Sequence, residues 1–328
     1  MLNLATIGTS WITEQFIQAC ALTNEYQLHT IYSRNREKAE KWAEKYHAHY
    51  GTDDLNHLFS DKKVDVVYIA SPNSLHFEHT MMALTAGKHV IVEKPAFATP
   101  QQYKEAYQLA EKQGVYLFEA ARHIHTKNYR YLRQLFNEMK QEAKYPMLGA
   151  NLHIGQYSSK YDAYNQALNN GTPVPNVFNL QYAGGSLMDI GVYPLYVALD
   201  LYGKPDNVQY YSVKGMNGVD LAGHILLDYT DHQVTIFASK AVHSKLQSEF
   251  YFDNETIQVN NITDLDRIRV YSPGKDNLLT IQYPTPNPLL DEAHHFARII
   301  HTNDQETYRS LKELSLLVGE VLDALRNS

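Results

Sequence analysis

The chain begins with the apolar run Leu2-Asn3-Leu4-Ala5-Thr6-Ile7, which leads through Gly8-Thr9-Ser10 into a helix-like segment that starts at Trp11. Short apolar runs bounded by turn residues are typical of buried β-strands. A strand that turns through glycine into a helix is the first part of a βαβ unit, and the N–H groups at the start of that helix favour an anion. Residues 2–23 therefore predict a strand, a phosphate-binding turn and a helix.

The same alternation of strand and helix continues to about residue 120. Apolar runs stand at 2–7, 28–32, 64–70, 89–92 and 115–118, and helical patterns separate them at 11–23, 35–47, 74–86 and 100–113. Strands joined by helices of this length predict a parallel sheet covered on both faces. We therefore predict an N-terminal α/β, dinucleotide-binding domain over residues 1–120.

Beyond residue 120 the pattern becomes that of an α+β domain. A helix near 126–142 precedes a strand at 147–157, an irregular stretch that contains Gly171, Pro173 and Pro175, and a helix near 186–202. Alternating residues predict an antiparallel sheet, with strands at 209–213, 222–229, 234–241, 248–252, 256–259 and 267–271. Helices near 288–302 and 307–326 follow. The second predicted domain covers residues 121–328 and holds an open sheet flanked by helices.

The first turn departs from the G-x-G-x-x-G pattern of dinucleotide-binding folds. Ser10 and Thr13 stand where the second and third small residues belong, and a threonine at the third place strains the packing of helix on strand. The alternative interpretation is an ordinary turn in which the glycine serves the backbone alone. The predicted cofactor contacts in this turn are Gly8, Thr9, Ser10, Trp11 and Ile12.

The end of the second strand indicates which dinucleotide binds. An acidic residue there would bind the ribose 2′-OH of NAD, but residues 31–36 read Ile-Tyr-Ser-Arg-Asn-Arg, without an acid. Ser33 and Arg34 are suited to a 2′-phosphate, because a guanidinium offers several donors in one plane. We predict NADP as the cofactor, with NAD as the alternative.

Composition excludes several classes of protein. The chain has 328 residues, a net charge of −7 and one cysteine, so an intrachain disulfide and a cysteine-based zinc site are both ruled out. A mildly acidic chain is a poor candidate for general binding to nucleic acid or to anionic membranes, although a local basic pocket is compatible with this charge. Because no apolar stretch approaches 18 residues, we expect no membrane helix and a cytoplasmic protein.

Three further motifs carry a resemblance to a known family. They are Ser71-Pro72-Asn73-Ser74-Leu75-His76, Ala86-Gly87-Lys88-His89-Val90-Ile91-Val92-Glu93-Lys94-Pro95 and Gly184-Gly185-Ser186-Leu187-Met188-Asp189-Ile190-Gly191-Val192-Tyr193-Pro194. In order and spacing they are similar to the signatures of the glucose–fructose oxidoreductase/inositol dehydrogenase/rhizopine catabolism (Gfo/Idh/MocA) family, and the resemblance covers essentially the whole chain.

The resemblance implies a Rossmann domain followed by an open antiparallel sheet domain. It also implies hydride transfer between NAD(P) and a sugar, a polyol or a related small carbonyl compound. In many members of the family the exposed sheet forms a homodimer or homotetramer interface, which would also cover an apolar face. The further cofactor contacts that it implies are Ser71, Pro72, Asn73, His76, Glu93 and Lys94.

The resemblance also suggests the catalytic residues. Tyr193 follows Asp189 by four residues, as in the branch of glucose–fructose oxidoreductase, xylose dehydrogenase and dimeric dihydrodiol dehydrogenase. We hypothesise that Tyr193 exchanges the proton and that Lys94 lowers its pKa from about 10 and orients the substrate oxygen. The reverse assignment of Lys94 and Tyr193 stays open. Asp189 would bind a substrate hydroxyl or hold Lys94, unless it only complements a helix dipole.

Two alternatives remain at the level of sequence. Histidine pairs at 47/49, 123/125 and 294/295 lack metal-site spacing, so we predict no metal, although His123 is a candidate substrate contact. A non-catalytic, dinucleotide-sensing protein of the same fold is the competing function. The retention of Glu93, Lys94, Asp189 and Tyr193 argues against it.

Overall fold

The structure is a computed structural model that describes residues 1–141, 146–274 and 279–328. It divides into two compact units. The first comprises residues 1–122 and 285–319, and the second comprises residues 123–284 and 320–328. No helix in the described ranges is both long enough and apolar enough to cross a membrane.

The first unit is built on a six-stranded sheet. Its strands are β1 (Leu2–Ile7), β2 (Tyr26–Tyr32), β3 (Tyr50–Thr52), β4 (Val66–Ile69), β5 (His89–Glu93) and β6 (Leu117–Ala120). All pairings are parallel, in the order β3-β2-β1-β4-β5-β6. The order reverses between β1 and β4, and the carboxyl ends of strands at such a switch point form the ligand crevice of α/β folds.

Helices connect these strands as the sequence predicts. They are α1 (Trp11–Thr23), α2 (Arg36–Lys45), α3 (Leu55–Ser60), α4 (Asn73–Thr85) and α5 (Pro100–Gln113). The side chain of Thr99 caps α5 by accepting the N–H of Gln102, and Gly114 ends that helix in the left-handed conformation. The short elements β3 and α3 are missing from the sequence prediction.

The second unit contains helices α6 (Lys127–Gln141), α7 (Tyr161–Asn170) and α8 (Val192–Tyr202), and a turn of π-helix at Leu187–Gly191 precedes α8. Its sheet has the order β14-β13-β12-β11-β7-β10-β9-β8. The strands are β7 (Met147–Gly155), β8 (Asn207–Lys214), β9 (Asp220–Asp228), β10 (Gln233–Ser239), β11 (Ser248–Phe252), β12 (Glu255–Val259), β13 (Ile268–Tyr271) and β14 (Leu279–Ile281).

The predicted antiparallel arrangement of this sheet needs one correction. Every pairing is antiparallel except that of β7 with β10, which is parallel. The reason is that β7 lies between β10 and β11, which run in opposite directions. A strand antiparallel to β11 must then be parallel to β10.

The chain ends with α9 (Leu290–Thr302) and α10 (Gln305–Arg326). Residues 285–319 pack in the first unit, although the sequence analysis assigned 121–328 to one domain. The apolar face of α9 explains this placement. The ring of Phe296 stacks on that of Phe118 with 4.5 Å between the ring centroids, and the carbonyl of Ala293 accepts a hydrogen bond from the hydroxyl of Tyr26. The division at residue 120 stays a prediction about domains.

Candidate active site

The first unit contains a cavity of about 470 Å³ at the carboxyl ends of β1, β2 and β4. This is the switch point of the sheet, where a dinucleotide is expected. The walls come from the three segments that follow those strands. The lining residues are Ile7, Gly8, Thr9, Ser10, Tyr32, Ser33, Arg34, Asn35, Lys38, Ala70, Ser71, Pro72, Leu75 and His79.

Gly8 shapes the floor of this cavity. Its φ is +119°, and a Cβ at this position would lie 2.6 Å from the carbonyl oxygen of Ala70. Its N–H donates to the carbonyl of Tyr32 at 3.2 Å. Only glycine fits, so the backbone can approach a phosphate closely.

Thr13, which stands where the third small residue of the pattern belongs, lies in the interior of the first unit. Its side chain is fully buried, and its Oγ1 lies 3.3 Å from Oγ of Ser10. The side chain of Ser10 makes no capping bond to the first turn of α1. The N-terminal end of α1 therefore faces the cavity as an anion-binding position, and Trp11 is exposed beside it.

Two cationic side chains line the cavity at the end of β2. Arg34 precedes α2, whereas Lys38 lies in the first turn of that helix and donates from Nζ to the carbonyl of Thr9 at 3.2 Å. Asn35 fixes this helix start by accepting the N–H of Lys38. Sequence reasoning identified Arg34 and missed Lys38, although its position four residues after Arg34 was a usable signal.

Histidines organise the segment after β4. His76 is buried, and its ring nitrogens lie 2.8 Å from the carbonyl oxygen of Ser71 and 3.2 Å from that of Pro95. Burial lowers the pKa of His76 to about 4, so the ring is neutral at pH 7. His79, which the sequence analysis did not select, lies 3.0 Å from Oγ of Ser71 and lines the cavity.

The Glu-Lys-Pro motif stands at the carboxyl end of β5. The hydroxyl of Tyr68 donates to the carboxylate of the half-buried Glu93 at 2.5 Å, and desolvation raises the pKa of Glu93. Lys94 follows directly, and the turn after it is fixed because Glu119 accepts the N–H of Ala96 at 2.9 Å. The motif is therefore anchored on buried polar groups of the first unit.

The third motif, residues 184–194, begins with a turn of the second unit in which close contacts fix the backbone. Gly185 has a φ of +127°, and a Cβ there would lie 1.9 Å from Oδ1 of Asp220. The other oxygen of Asp220 accepts the N–H of Leu187 and the hydroxyl of Tyr210, both at 2.7 Å. Asp220 thus fixes the start of the π-helical turn that carries Asp189. Such turns are frequent at functional sites.

Tyr193 stands in the first turn of α8, four residues after Asp189, and its side chain is half-buried. Nε2 of His123 lies 2.9 Å from the carbonyl oxygen of Tyr193. The rings of the two residues pack edge to face with 4.9 Å between their centroids. His123 is itself buried. His123 therefore contacts both the backbone and the ring of Tyr193, and its role as a substrate contact stays a prediction.

Asp189 forms an ion pair that the sequence did not reveal. Its carboxylate is bonded to the ammonium of Lys240, the residue that follows β10. The sequence prediction placed Lys240 inside a strand at 234–241 and did not include it among the candidate site residues. The pairing therefore gives Asp189 a cationic partner within its own unit.

The predicted site residues fall into three groups. Gly8, Thr9, Ser10, Ser33, Arg34, Ser71 and Pro72 line one cavity. Trp11 and Ile12 follow in α1, Asn73 and His76 lie in α4, Glu93 ends β5 and Lys94 follows it, all in the first unit. Asp189, Tyr193 and His123 lie in the second. Over the described ranges, no group of three or more His, Cys, Asp or Glu side chains could hold a metal ion.

Fold and site together define a class of protein. A parallel sheet whose switch point holds a cavity with a glycine turn and two cations on its walls has the features of a dinucleotide-binding domain. Here it is joined to a mixed-sheet unit that carries an acid–lysine pair.

Comparison with known proteins agrees with this assignment of a dinucleotide-binding domain joined to a second domain. The family model of the GFO_IDH_MocA oxidoreductases with an NAD-binding Rossmann fold matches residues 2–121, and that of the GFO/IDH/MocA C-terminal domain matches residues 153–258. The chain is 33% identical to scyllo-inositol 2-dehydrogenase (NADP(+)) IolU of Bacillus subtilis, over 99% of this chain and 96% of that protein. It is 26% identical to mouse trans-1,2-dihydrobenzene-1,2-diol dehydrogenase over 63% of this chain and 58% of that protein.

Solved structures share the fold at low identity. The 3-ketoreductase KijD10 from Actinomadura kijaniata, in complex with NADP and TDP-benzene, superposes with a TM-score of 0.84 at 19% identity, over 99% of this chain and 97% of that chain. Levoglucosan dehydrogenase superposes with a TM-score of 0.82, also at 19% identity and with the same coverage.

The chain therefore belongs to the Gfo/Idh/MocA oxidoreductase family. It is an NAD(P)-dependent oxidoreductase, as the resemblance implies, and the competing interpretation of a non-catalytic dinucleotide sensor is set aside.

Proposed function

We propose that the chain is an NADP-dependent dehydrogenase of a neutral cyclic polyol or sugar. The observation that carries the choice of NADP is the pair of cations, Arg34 and Lys38, on the cavity wall after β2. No acidic residue lies among the residues that line the cavity. Two cations without a carboxylate favour a 2′-phosphate over a bare ribose hydroxyl.

The residues present fit the rest of the dinucleotide. The backbone at Gly8, Thr9 and Ser10, with the start of α1 at Trp11 and Ile12, would hold the pyrophosphate. Bound NADP supplies or accepts the hydride. Ser71, Pro72, Asn73, His76, Glu93 and Lys94 are the proposed contacts near the nicotinamide.

The proposed substrate class rests on the relatives. The B. subtilis relative is named for scyllo-inositol, a neutral polyol, and this chain matches it over nearly its full length. The ion pair of Asp189 with Lys240 has no net charge, which suits a neutral hydroxylated ligand better than an anion. We propose scyllo-inositol and related cyclic polyols as the first compounds to assay.

We propose Tyr193 as the group that exchanges the substrate proton and Lys94 as the group that favours its phenolate and orients the substrate oxygen. Asp189 would accept a hydrogen bond from a neighbouring substrate hydroxyl. Tyr193→Phe should lower kcat by about 100-fold or more and leave the Kd for NADPH unchanged. Full activity in that variant would exclude Tyr193, and the same pair of measurements on Lys94→Ala tests the reverse assignment.

A fluorescence titration with NADPH and NADH tests the cofactor proposal. We expect NADPH to bind at least about tenfold more tightly, and Arg34→Gln with Lys38→Gln to remove that preference by weakening NADPH alone. Arg36→Gln is the matched control, because its guanidinium pairs with Glu40 and Asp53. A wild-type preference for NADH would overturn the assignment.

Two wider proposals complete this function. The second unit's sheet would mediate a homodimer or homotetramer, as the family resemblance implies. The protein would work in the cytoplasm, where the buried thiol of Cys20 stays reduced.

A further inference from the structure

Lys240 is a buried cation that the proposed mechanism does not use. It is 4% exposed, and its backbone is fixed on both sides. Its N–H donates to the carbonyl of Leu221 at 3.0 Å, and its own carbonyl accepts the N–H of Ser158 at 2.9 Å. A lysine in this position costs desolvation free energy unless its ammonium is bonded to an opposite charge.

The partner of that ammonium is Asp189. Nζ of Lys240 also lies 5.4 Å from the centroid of the Phe178 ring, so the ammonium is bordered by one carboxylate and one aromatic face. The two side chains of the pair differ in exposure, at 5% for Lys240 and 33% for Asp189. Lys240 is therefore the inner member, and Asp189 presents the accessible part of the pair.

We propose that Lys240 is a positioning residue that holds the Asp189 carboxylate in the orientation in which it accepts a substrate hydroxyl. This rests on the proposed function of Asp189. The backbone of Asp189 is fixed independently, since its N–H donates to the carbonyl of Gly185 at 3.2 Å. Lys240 therefore fixes the orientation of the Asp189 side chain. The orientation is important because a displacement of about 1 Å at a reacting group costs about 100-fold in rate.

A purely stabilising role would not select a lysine here. A buried ion pair is often no more stabilising than apolar residues of similar size, and methionine would also pack on Phe178. Lys240→Met therefore separates the two roles. It keeps much of the volume but removes the ammonium, with both the charge and the N–H donors that act on Asp189, whereas Lys240→Arg keeps a cationic donor.

The experiment compares three variants with the wild type in scyllo-inositol oxidation by NADP⁺. We expect Lys240→Met to lower kcat/KM by about 100-fold and Lys240→Arg to recover at least about tenfold of that loss. The Kd for NADPH should stay within about twofold of the wild type in both. Lys204→Met is the control, because it removes an exposed lysine that pairs with Glu320 in the same unit. We expect it to leave kcat/KM unchanged.

A double-mutant cycle then asks whether Lys240 acts through Asp189. If it does, Lys240→Met should cost little more in a background that already carries Asp189→Asn. Equal costs in both backgrounds, or no recovery in the arginine variant, would overturn the proposal.

A crystal structure of Lys240→Met keeps the test independent of turnover. We expect the Asp189 side chain to leave the position that it holds in the wild type and to keep it in Lys240→Arg. An unmoved Asp189 in the methionine variant would refute the positioning role. If the wild type oxidises none of the polyols and sugars tested, the proposed function fails, and these structures alone decide the inference about Lys240.

Discussion

At the scale of single residues, Gly8 carries the most specific structural requirement of the cofactor cavity. Gly8→Ala should weaken NADPH binding by at least about 100-fold, because the new Cβ would meet the Ala70 carbonyl at 2.6 Å and push the turn out of place. Fluorescence titration measures this change.

The control separates crowding from backbone strain. Gly87 also has a positive φ, +70°, but a Cβ there would have no atom within 4 Å. Gly87→Ala should cost about 1 kcal/mol of stability and leave the Kd for NADPH unchanged. Comparable losses of binding in both variants would mean that the loss in Gly8→Ala does not come from crowding against Ala70 in the cofactor turn.

The residues that sequence reasoning found and missed differ in a physical way. Gly8 and Arg34 stand directly after strands, where chain order alone places them at the ligand edge. Lys240 meets Asp189 across 51 positions of sequence, and only the pairing of strands brings the two together. A contact of that kind leaves no local pattern, so a single sequence could not predict it.

At the scale of elements, helix α9 places the carboxyl group of Glu292 in the interior of the first unit. Glu292, in its first turn, is 1% exposed, and neither of its oxygens has a partner among the described residues. Burial, reinforced by the nearby Glu93, raises the pKa of Glu292 well above its ordinary value. The native state therefore keeps a proton that the unfolded chain releases as the pH rises above about 4.3.

This difference in proton binding has a defined sign. Where the native state binds more protons than the unfolded state, stability falls as pH rises. Glu292→Gln removes the titrating group, so its Tm minus that of the wild type should be small near pH 4.5 and grow toward pH 8. Thermal unfolding at several pH values measures this difference.

Glu306→Gln, in the exposed first turn of α10, is the control for Glu292→Gln. Its side chain is exposed, so this variant loses a carboxylate that folding does not bury, and its Tm is the reference for the growth expected of Glu292→Gln. A constant Tm difference for Glu292→Gln across the range would show that Glu292 is not protonated in the native state.

Elements were predictable where the pattern was long. The parallel sheet, the cap at Thr99 and most strands of the second sheet follow from periodicity, and those predictions are confirmed. β3 has three residues, too few to show a period. Helix α7 lies in a stretch interpreted as irregular, because Gly171 and the prolines after it mask the ten helical residues before them. The parallel pairing of β7 with β10 depends on insertion of a strand, which no local pattern encodes.

At the scale of the whole molecule, the second sheet presents a row of aromatic side chains on the face opposite its core. Tyr211, His224, Phe237 and His153 stand side by side on four neighbouring strands. The ring centroid of Phe237 lies 4.7 Å from that of His153 and 5.0 Å from that of His224. Tyr211, on the edge strand β8, is 63% exposed. A contiguous surface of this kind is typical of a protein–protein interface.

We expect this face to join two copies of the chain, because a twofold interface lets the same row of rings meet itself. Light scattering after gel filtration should give a mass about twice the 37.6 kDa of one chain. Tyr211→Glu with Val213→Glu should convert the protein to monomers, since it would bury like charges against each other, while NADPH binding in the first unit is retained. Leu22→Glu, at an exposed apolar position on α1, should leave the mass unchanged. A monomeric wild type at micromolar concentration would contradict this assignment, and a double variant that stays dimeric would place the interface elsewhere.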